Sequence, residues 1–197
     1  NVNNSIQGSR NSTETGTNNT LVMGESNTVK GFSRNNIISG SGNEISNGIN
    51  NSKISGKMGK VIRQGEVVLG GGSYNIGAGY TQSSKIQLST KTTTATPTNL
   101  YVQDIVGEYI TLQNNSLLGY EIYLTRLETG GTSGVAGEFS YQNYKGAVRC
   151  DNSGVLTIYT HSIKTIARDG ALGTMAIIDT TTSSIPSVTI QVTDRAN

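Results

Sequence analysis

The chain has 197 residues, 34% of them hydrophobic and 14% charged, with a formal net charge of +2. This length suits one medium domain or two small ones, and both percentages are low for a globular enzyme. So mild a charge leaves no footprint for nucleic acid, no apolar run reaches the ~18 residues of a membrane helix, and a single cysteine, Cys150, excludes an internal disulfide framework or multi-Cys zinc site.

One histidine, His161, weakens most His-dependent chemistry. The chain opens on Asn1 without an initiator Met or a signal-peptide pattern, so we expect a fragment or processed product. Residues 1–65 carry seven Lys or Arg against three acids, whereas residues 66–197 carry eight against ten. The first part is crowded with Asn, Ser and Gly. The second holds all nine tyrosines. The shift falls near Gly70, Gly71 and Gly72, a candidate boundary.

In the first part asparagine recurs every eight residues, at Asn3, Asn11, Asn19, Asn27, Asn35, Asn43 and Asn51. The apolar residues show a period of sixteen: Ile6, Val22, Ile38 and Ile54, each followed two residues later by Gly8, Gly24, Gly40 or Gly56. A second register holds Thr13, Val29, Ile45 and Val61. A strict period argues against disorder, and neither spacing is the 3.6 of a helix. The pattern predicts a sixteen-residue turn of two short strands and two tight corners, stacked on its own copies. Ile6, Val22, Ile38, Ile54, Val29, Ile45 and Val61 form the expected core. Glycine supplies positive φ at corners. Asn3, Asn19, Asn35 and Asn51 tolerate left-handed backbone and stack as ladders. One aliphatic per strand is a thin core, and three or four such turns are marginal alone. Self-association is the expected remedy, with Leu21 and Ile37 on the adjacent face as a seam; the competing reading leaves them in loose loop structure.

The blocks "NNSIQG", "NTLVMG", "NNIISG" and "NSKISG" resemble the head repeats of trimeric autotransporter adhesins, and similar repeats occur in phage fibre proteins. The resemblance covers roughly residues 1–65. It implies a left-handed parallel β-roll, three chains about one axis, with an intertwined triple β-helix as rival. Gly31 comes one place early on the eight-residue grid, and Thr15 and Asn47 stand where a corner glycine is expected.

From Lys85 onward the segments lengthen and alternate. "VTIQV" places Val188, Ile190 and Val192 on one face. "YEIYLTRL" places Ile122 and Leu124 inward beside Tyr120. Further strands are expected over 85–89, 100–106, 109–113, 138–149, 155–160, 162–167 and 174–179, with a bend near Tyr144 and turns at 114–116, 129–134, 151–154 and 169–173. Eight or nine short strands with such turns read as a β-sandwich or jelly roll. The stretch "GEVVLGGGSYNIGAGYTQSSKIQLSTKTTTATPTNLYV", continued by "LQNNSLLGYEIYLTR", resembles a segment of phage structural and fibre proteins. That likeness spans roughly residues 65–160 and implies a trimeric virion protein.

Chemistry is sparse. His161 reads as a surface or partly packed histidine and Cys150 as a small buried hydrophobe. No paired-carboxylate motif stands out for glycosidase work. "GGGSYNIGAG" at 70–79 lacks the Lys-Ser/Thr ending of a phosphate loop. Tyr141, Tyr144 and Tyr159, with Lys145 and Arg149, are candidate receptor contacts, since tyrosine offers a flat apolar face plus a hydroxyl. The competing reading has them filling the core or a trimer interface.

The expectation is therefore an all-β homotrimer. Residues 1–65 form a parallel β-roll or solenoid with 16-residue turns, 66–84 a Gly-rich transition, and 85–197 an antiparallel, jelly-roll-like β-sandwich. Function is expected to be structural: a virion fibre or spike, with the C-terminal domain attaching to a host-surface glycan or protein or docking to another virion protein. The alternatives are a bacterial cell-surface adhesin fragment and a polysaccharide-degrading tailspike. No enzyme activity, cofactor, nucleic-acid partner or membrane insertion is expected.

Overall fold

The computed structural model describes residues 2–72, 77–131, 134–170, 173–182 and 185–193. Residues 73–76, 132–133 and 171–172, parts of the expected glycine-rich passage and of two expected turns, lie outside the described residues. Strands are the only regular elements among those described. The chain divides into two compact units, Asn1–Leu88 and Ser89–Asn197.

The first unit contains β1 (Ser5–Ser9), β2 (Ser12–Thr13), β3 (Leu21–Glu25), β4 (Thr28–Val29), β5 (Ile37–Ser41), β6 (Glu44–Ile45), β7 (Lys53–Lys57), β8 (Lys60–Val61), β9 (Val67–Gly71) and β10 (Gln82–Lys85). β1, β3, β5, β7 and β9 pair in parallel, one above the next. β2, β4, β6 and β8 form a second parallel sheet. Bridges Val2–Asn18–Arg34–Asn50 close the third side of each turn. The chain thus coils on itself as a β-solenoid of about four turns, its ladder running between residues sixteen apart, as in Val22↔Ile38 and Val29↔Ile45.

The core is one aliphatic column per sheet. Val22, Ile38, Ile54 and Val68 stack in one and Val29, Ile45 and Val61 in the other, all essentially without solvent contact. Ile6, expected among them, is corrected by the structure: it keeps the register opposite Val22 but is 46% exposed. It lies on the outermost described rung, where only one neighbour covers it.

The corners explain the composition. Asn3, Asn19, Asn35 and Asn51 all have φ between 53° and 58°. Their side chains form a ladder, each Nδ2 donating to the Oδ1 one turn on, at 3.2, 3.2 and 3.1 Å. Asn11, Asn27 and Asn43 form a second, inner ladder, in which the backbone N–H of Asn27 donates to Asn11 Oδ1 and that of Asn43 to Asn27 Oδ1, both at 3.0 Å. Buried amides of this kind satisfy the backbone groups that the corners leave unpaired. Gly24 and Gly40 have φ of 114° and 117°, and a Cβ on either would run into the carbonyl of the glycine one turn above. The left-handed column expected near residue 31 runs instead through Gly16, Phe32 and Gly48. Gly31 answers a different need, because a Cβ there would press on the Thr15 carbonyl oxygen at 2.9 Å.

The described residues of the expected transition at 66–84 fold as the last rung and its cover. β9 pairs with β7 at a spacing of fourteen rather than sixteen, as in Ile54↔Val68. The shortened turn contains a buried ion pair, Arg63 Nη1 to Glu66 Oε1 at 2.7 Å. β10 then runs antiparallel to β9. Two glutamines complete the other sides. Gln82 accepts from Lys60 N at 2.8 Å and donates to Lys60 O at 3.0 Å. Gln64 accepts from Asn50 N at 2.8 Å and donates to Gly48 O at 3.0 Å. Each carboxamide stands in for the peptide group of a missing further turn.

The second unit follows β11 (Leu88–Ser89) with β12 (Thr98–Asn99), β13 (Tyr101–Val102), β14 (Ile110–Thr111), β15 (Ser116–Leu127), β16 (Phe139–Cys150), β17 (Leu156–Arg168), β18 (Thr174–Asp179) and β19 (Ser187–Thr193). The strand expected over 100–106 is cut to two residues, because Gln103 and Asp104 take left-handed φ of 52° and 59°. The two strands expected at 155–160 and 162–167 are one, β17. It carries extra residues at His161 and Ile166, where its pairing with β16 shifts register. β15, β16 and β17 form an antiparallel meander, and β19 pairs antiparallel with β12, β14 and β18. Leu112, Val148, Cys150 and Val188 form a buried cluster in this unit, with Leu118, Leu156, Ile158 and Ile177 packed against it.

Candidate functional site

The meander has two faces, fixed by strand alternation. Its pairing places even-numbered residues of β15 and β16 on one face and odd-numbered residues on the other. The even face supplies Leu118, Val148 and Cys150 to the cluster. Burial raises the Cys150 thiol pKa, and the neighbouring Asp151 charge adds to it; the residue is 1% exposed and packs within the cluster.

Tyr144 lies on this inner face. Its expected role as a receptor contact is corrected, for it is 4% exposed. Its hydroxyl donates to Gln142 Oε1 at 3.1 Å, and burial raises its pKa. Tyr120 also uses this face. Its ring crosses Gly146, and its hydroxyl donates to the Tyr159 carbonyl at 3.2 Å. A Cβ at residue 146 would strike both groups.

The odd face is open. It brings together the other four candidates, Tyr141, Lys145, Arg149 and Tyr159, the last paired opposite Ala147. It adds two groups that sequence reasoning missed, Tyr123 and Glu121. Tyr123 stacks on Tyr141, with ring centroids 6.1 Å apart and planes 27° from parallel. Glu121 Oε1 is the hub of a network. It accepts from Lys145 Nζ at 3.0 Å, Tyr123 Oη at 2.9 Å and Asn143 Nδ2 at 3.1 Å. The hydrogen bond from Lys145, then that from Tyr123, holds the Glu121 carboxyl below the ordinary carboxylate range. The same two bonds, donated to Glu121, raise the pKa of the Tyr123 hydroxyl and of the Lys145 ammonium. Beside this network Gly119 and Ala147 leave a shallow hollow, walled by Tyr159 and His161. The alternation of "YEIYLTRL" already put Tyr123 opposite Tyr120. Only the register Tyr123↔Asn143 and Thr125↔Tyr141 shows that it meets Tyr141.

Such a face can hold a partner by stacking and apolar contact. Among the described residues, no three His, Cys, Asp or Glu side chains gather to hold a metal ion, and His161 stands exposed on its bulge. Comparison with protein-family models, curated proteins and solved structures returns no match.

Proposed function

We propose that the chain is a structural segment of a fibre or spike, assembled as a homotrimer, whose solenoid is a rigid spacer and whose second unit is an interaction domain for a surface or a docking protein. The virion location rests on the resemblance of the repeats and of the segment 65–160 to fibre proteins. A sandwich reading of the second unit draws support from the two antiparallel sheets that contribute to one cluster.

The observation that carries the proposal is the apolar surface left outside a one-residue-wide core. Ile37, Val67 and Leu69 are exposed on the outer side of the solenoid strands whose inner residues are fully buried. A monomer gains nothing from that arrangement, whereas a bundle of copies buries it. Three copies also turn weak identical contacts into avidity. The test is the solution mass at micromolar concentration by light scattering coupled to size exclusion. A mass near three times 20.8 kDa that persists on dilution is expected. A clean monomer at every concentration would refute the proposal.

A further inference from the structure

The open face of the meander points to a second copy of this chain as its partner: we infer that the side of β15 to β17 that bears Tyr123, Tyr141 and Tyr159 is an interface between copies. This rests on the self-association proposed above and names the surface in the second unit that carries it.

Three observations support the assignment. The first is composition. Leu117 and Leu127 are 71% and 69% exposed, Tyr123 and Tyr159 58% and 52%, and Phe139 is exposed beside them. Tyrosines with aliphatics at both ends match the enriched core of protein interfaces. The second is that the polar groups at the centre of the face are already paired. Glu121 is engaged by Lys145, Tyr123 and Asn143 at once. A charged ligand or a sugar would have to break those bonds. A face whose own central charges are equally pre-paired would not, and a second copy supplies one. The third is area. β15, β16 and β17 are 12, 12 and 13 residues long. At about 3.4 Å per residue and about 4.8 Å between strands, the face spans roughly 40 by 14 Å, about 570 Å² in projection. Side-chain relief brings that near the ~800 Å² per partner of a standard interface. In the proposed trimer three such faces meet about the common axis, each lying against its two neighbours at the roughly 10 Å spacing of packed sheets.

The test uses the full chain. Leu127→Glu with Tyr141→Glu puts two charges on the face, and Leu127→Met with Tyr141→Phe keeps it apolar. We expect the first pair to raise the dissociation constant of the assembly about a hundredfold, with an unchanged far-UV circular dichroism spectrum, and the second pair to retain it. A second measurement needs no variant. Tyrosine nitration of the wild-type chain, read by mass spectrometry, should fall at Tyr123 and Tyr159 as concentration rises and stay constant at exposed Tyr80. Assembly of the double-Glu variant at wild-type strength, or concentration-independent nitration at Tyr123 and Tyr159, would each overturn the inference while leaving self-association standing. A monomeric wild-type chain would remove both.

Discussion

Gly24 and Gly40 occupy positions that no other residue fits, on two separate grounds. Each backbone is at a φ that L side chains avoid, and each would aim a Cβ at the carbonyl one turn above. Gly48 shares only the first, with φ of 73° and nothing within 4 Å of an added Cβ. The two constraints separate in a pair of variants. Gly48→Ala should cost about 1 kcal/mol, the ordinary penalty for left-handed backbone. Gly40→Ala should cost about 3 kcal/mol or more, since a backbone carbonyl cannot move aside without breaking the ladder. Thermal melts read the difference, at roughly 4–8 °C per kcal/mol for a unit of this size. At this scale the periodic glycines and asparagines are legible in the sequence, because one residue type repeated at one spacing leaves few conformations. Phe32 is not, since a bulky residue with φ of 57° carries no signal of its own. Only its place in the column of Gly16 and Gly48 reveals it.

Elements in the solenoid are held by their ladders as well as by their aliphatic columns, and at the ends something must complete the ladder. Gln82 satisfies both Lys60 N and Lys60 O. Gln82→Ala leaves that donor and acceptor without it, so we expect a loss of about 1–2 kcal/mol, read as faster amide exchange at Lys60. The column Lys30, Glu44 and Lys60 adds a charge ladder, with Glu44 3.2 Å and 3.1 Å from its two lysines. Burial raises the Glu44 carboxyl pKa, but Lys60 and then Lys30 outweigh it and set it below the ordinary value of 4.5. A carboxylate depressed in the folded state contributes stability above its unfolded pKa and loses it as pH falls through the folded one. The first unit should therefore weaken as pH drops below about 4.5, and Glu44→Gln should flatten that part of the profile. The two lysines are partly exposed, so the effect is at most about 1 kcal/mol. Strand positions in this unit follow from the sixteen-residue period. The glutamine caps do not, because a cap is defined by the turn it replaces and occurs once.

The whole molecule joins a unit whose plan repeats to one whose plan does not. In the second unit, alternation marks the strands and their faces, including the inward Ile122 and Leu124. Strand partners and the open face depend on register, and register comes from pairing between residues tens of positions apart, such as Tyr123↔Asn143. Hence Tyr144 groups with Tyr141 and Lys145 by sequence, although the pleat puts it on the other side. At this scale the expected outcome is assembly. Ile37→Lys on the solenoid's outer face should lower the light-scattering mass without altering the core column behind it, because Ile38, not Ile37, is the residue without solvent contact.

The translational sameness of the middle rungs carries a further consequence. Residues 21–36 and 37–52 are interchangeable to the ladders, since Leu21 pairs with Ile37 and Ile37 with Lys53 in one register. The Arg63–Glu66 turn and its glutamines recognise only the rung beneath them. Length is therefore a free parameter of this architecture, adjustable like a ruler in fixed graduations. Duplicating residues 37–52 should extend the solenoid by one graduation, about 4.8 Å, and leave the cap and the second unit as they are.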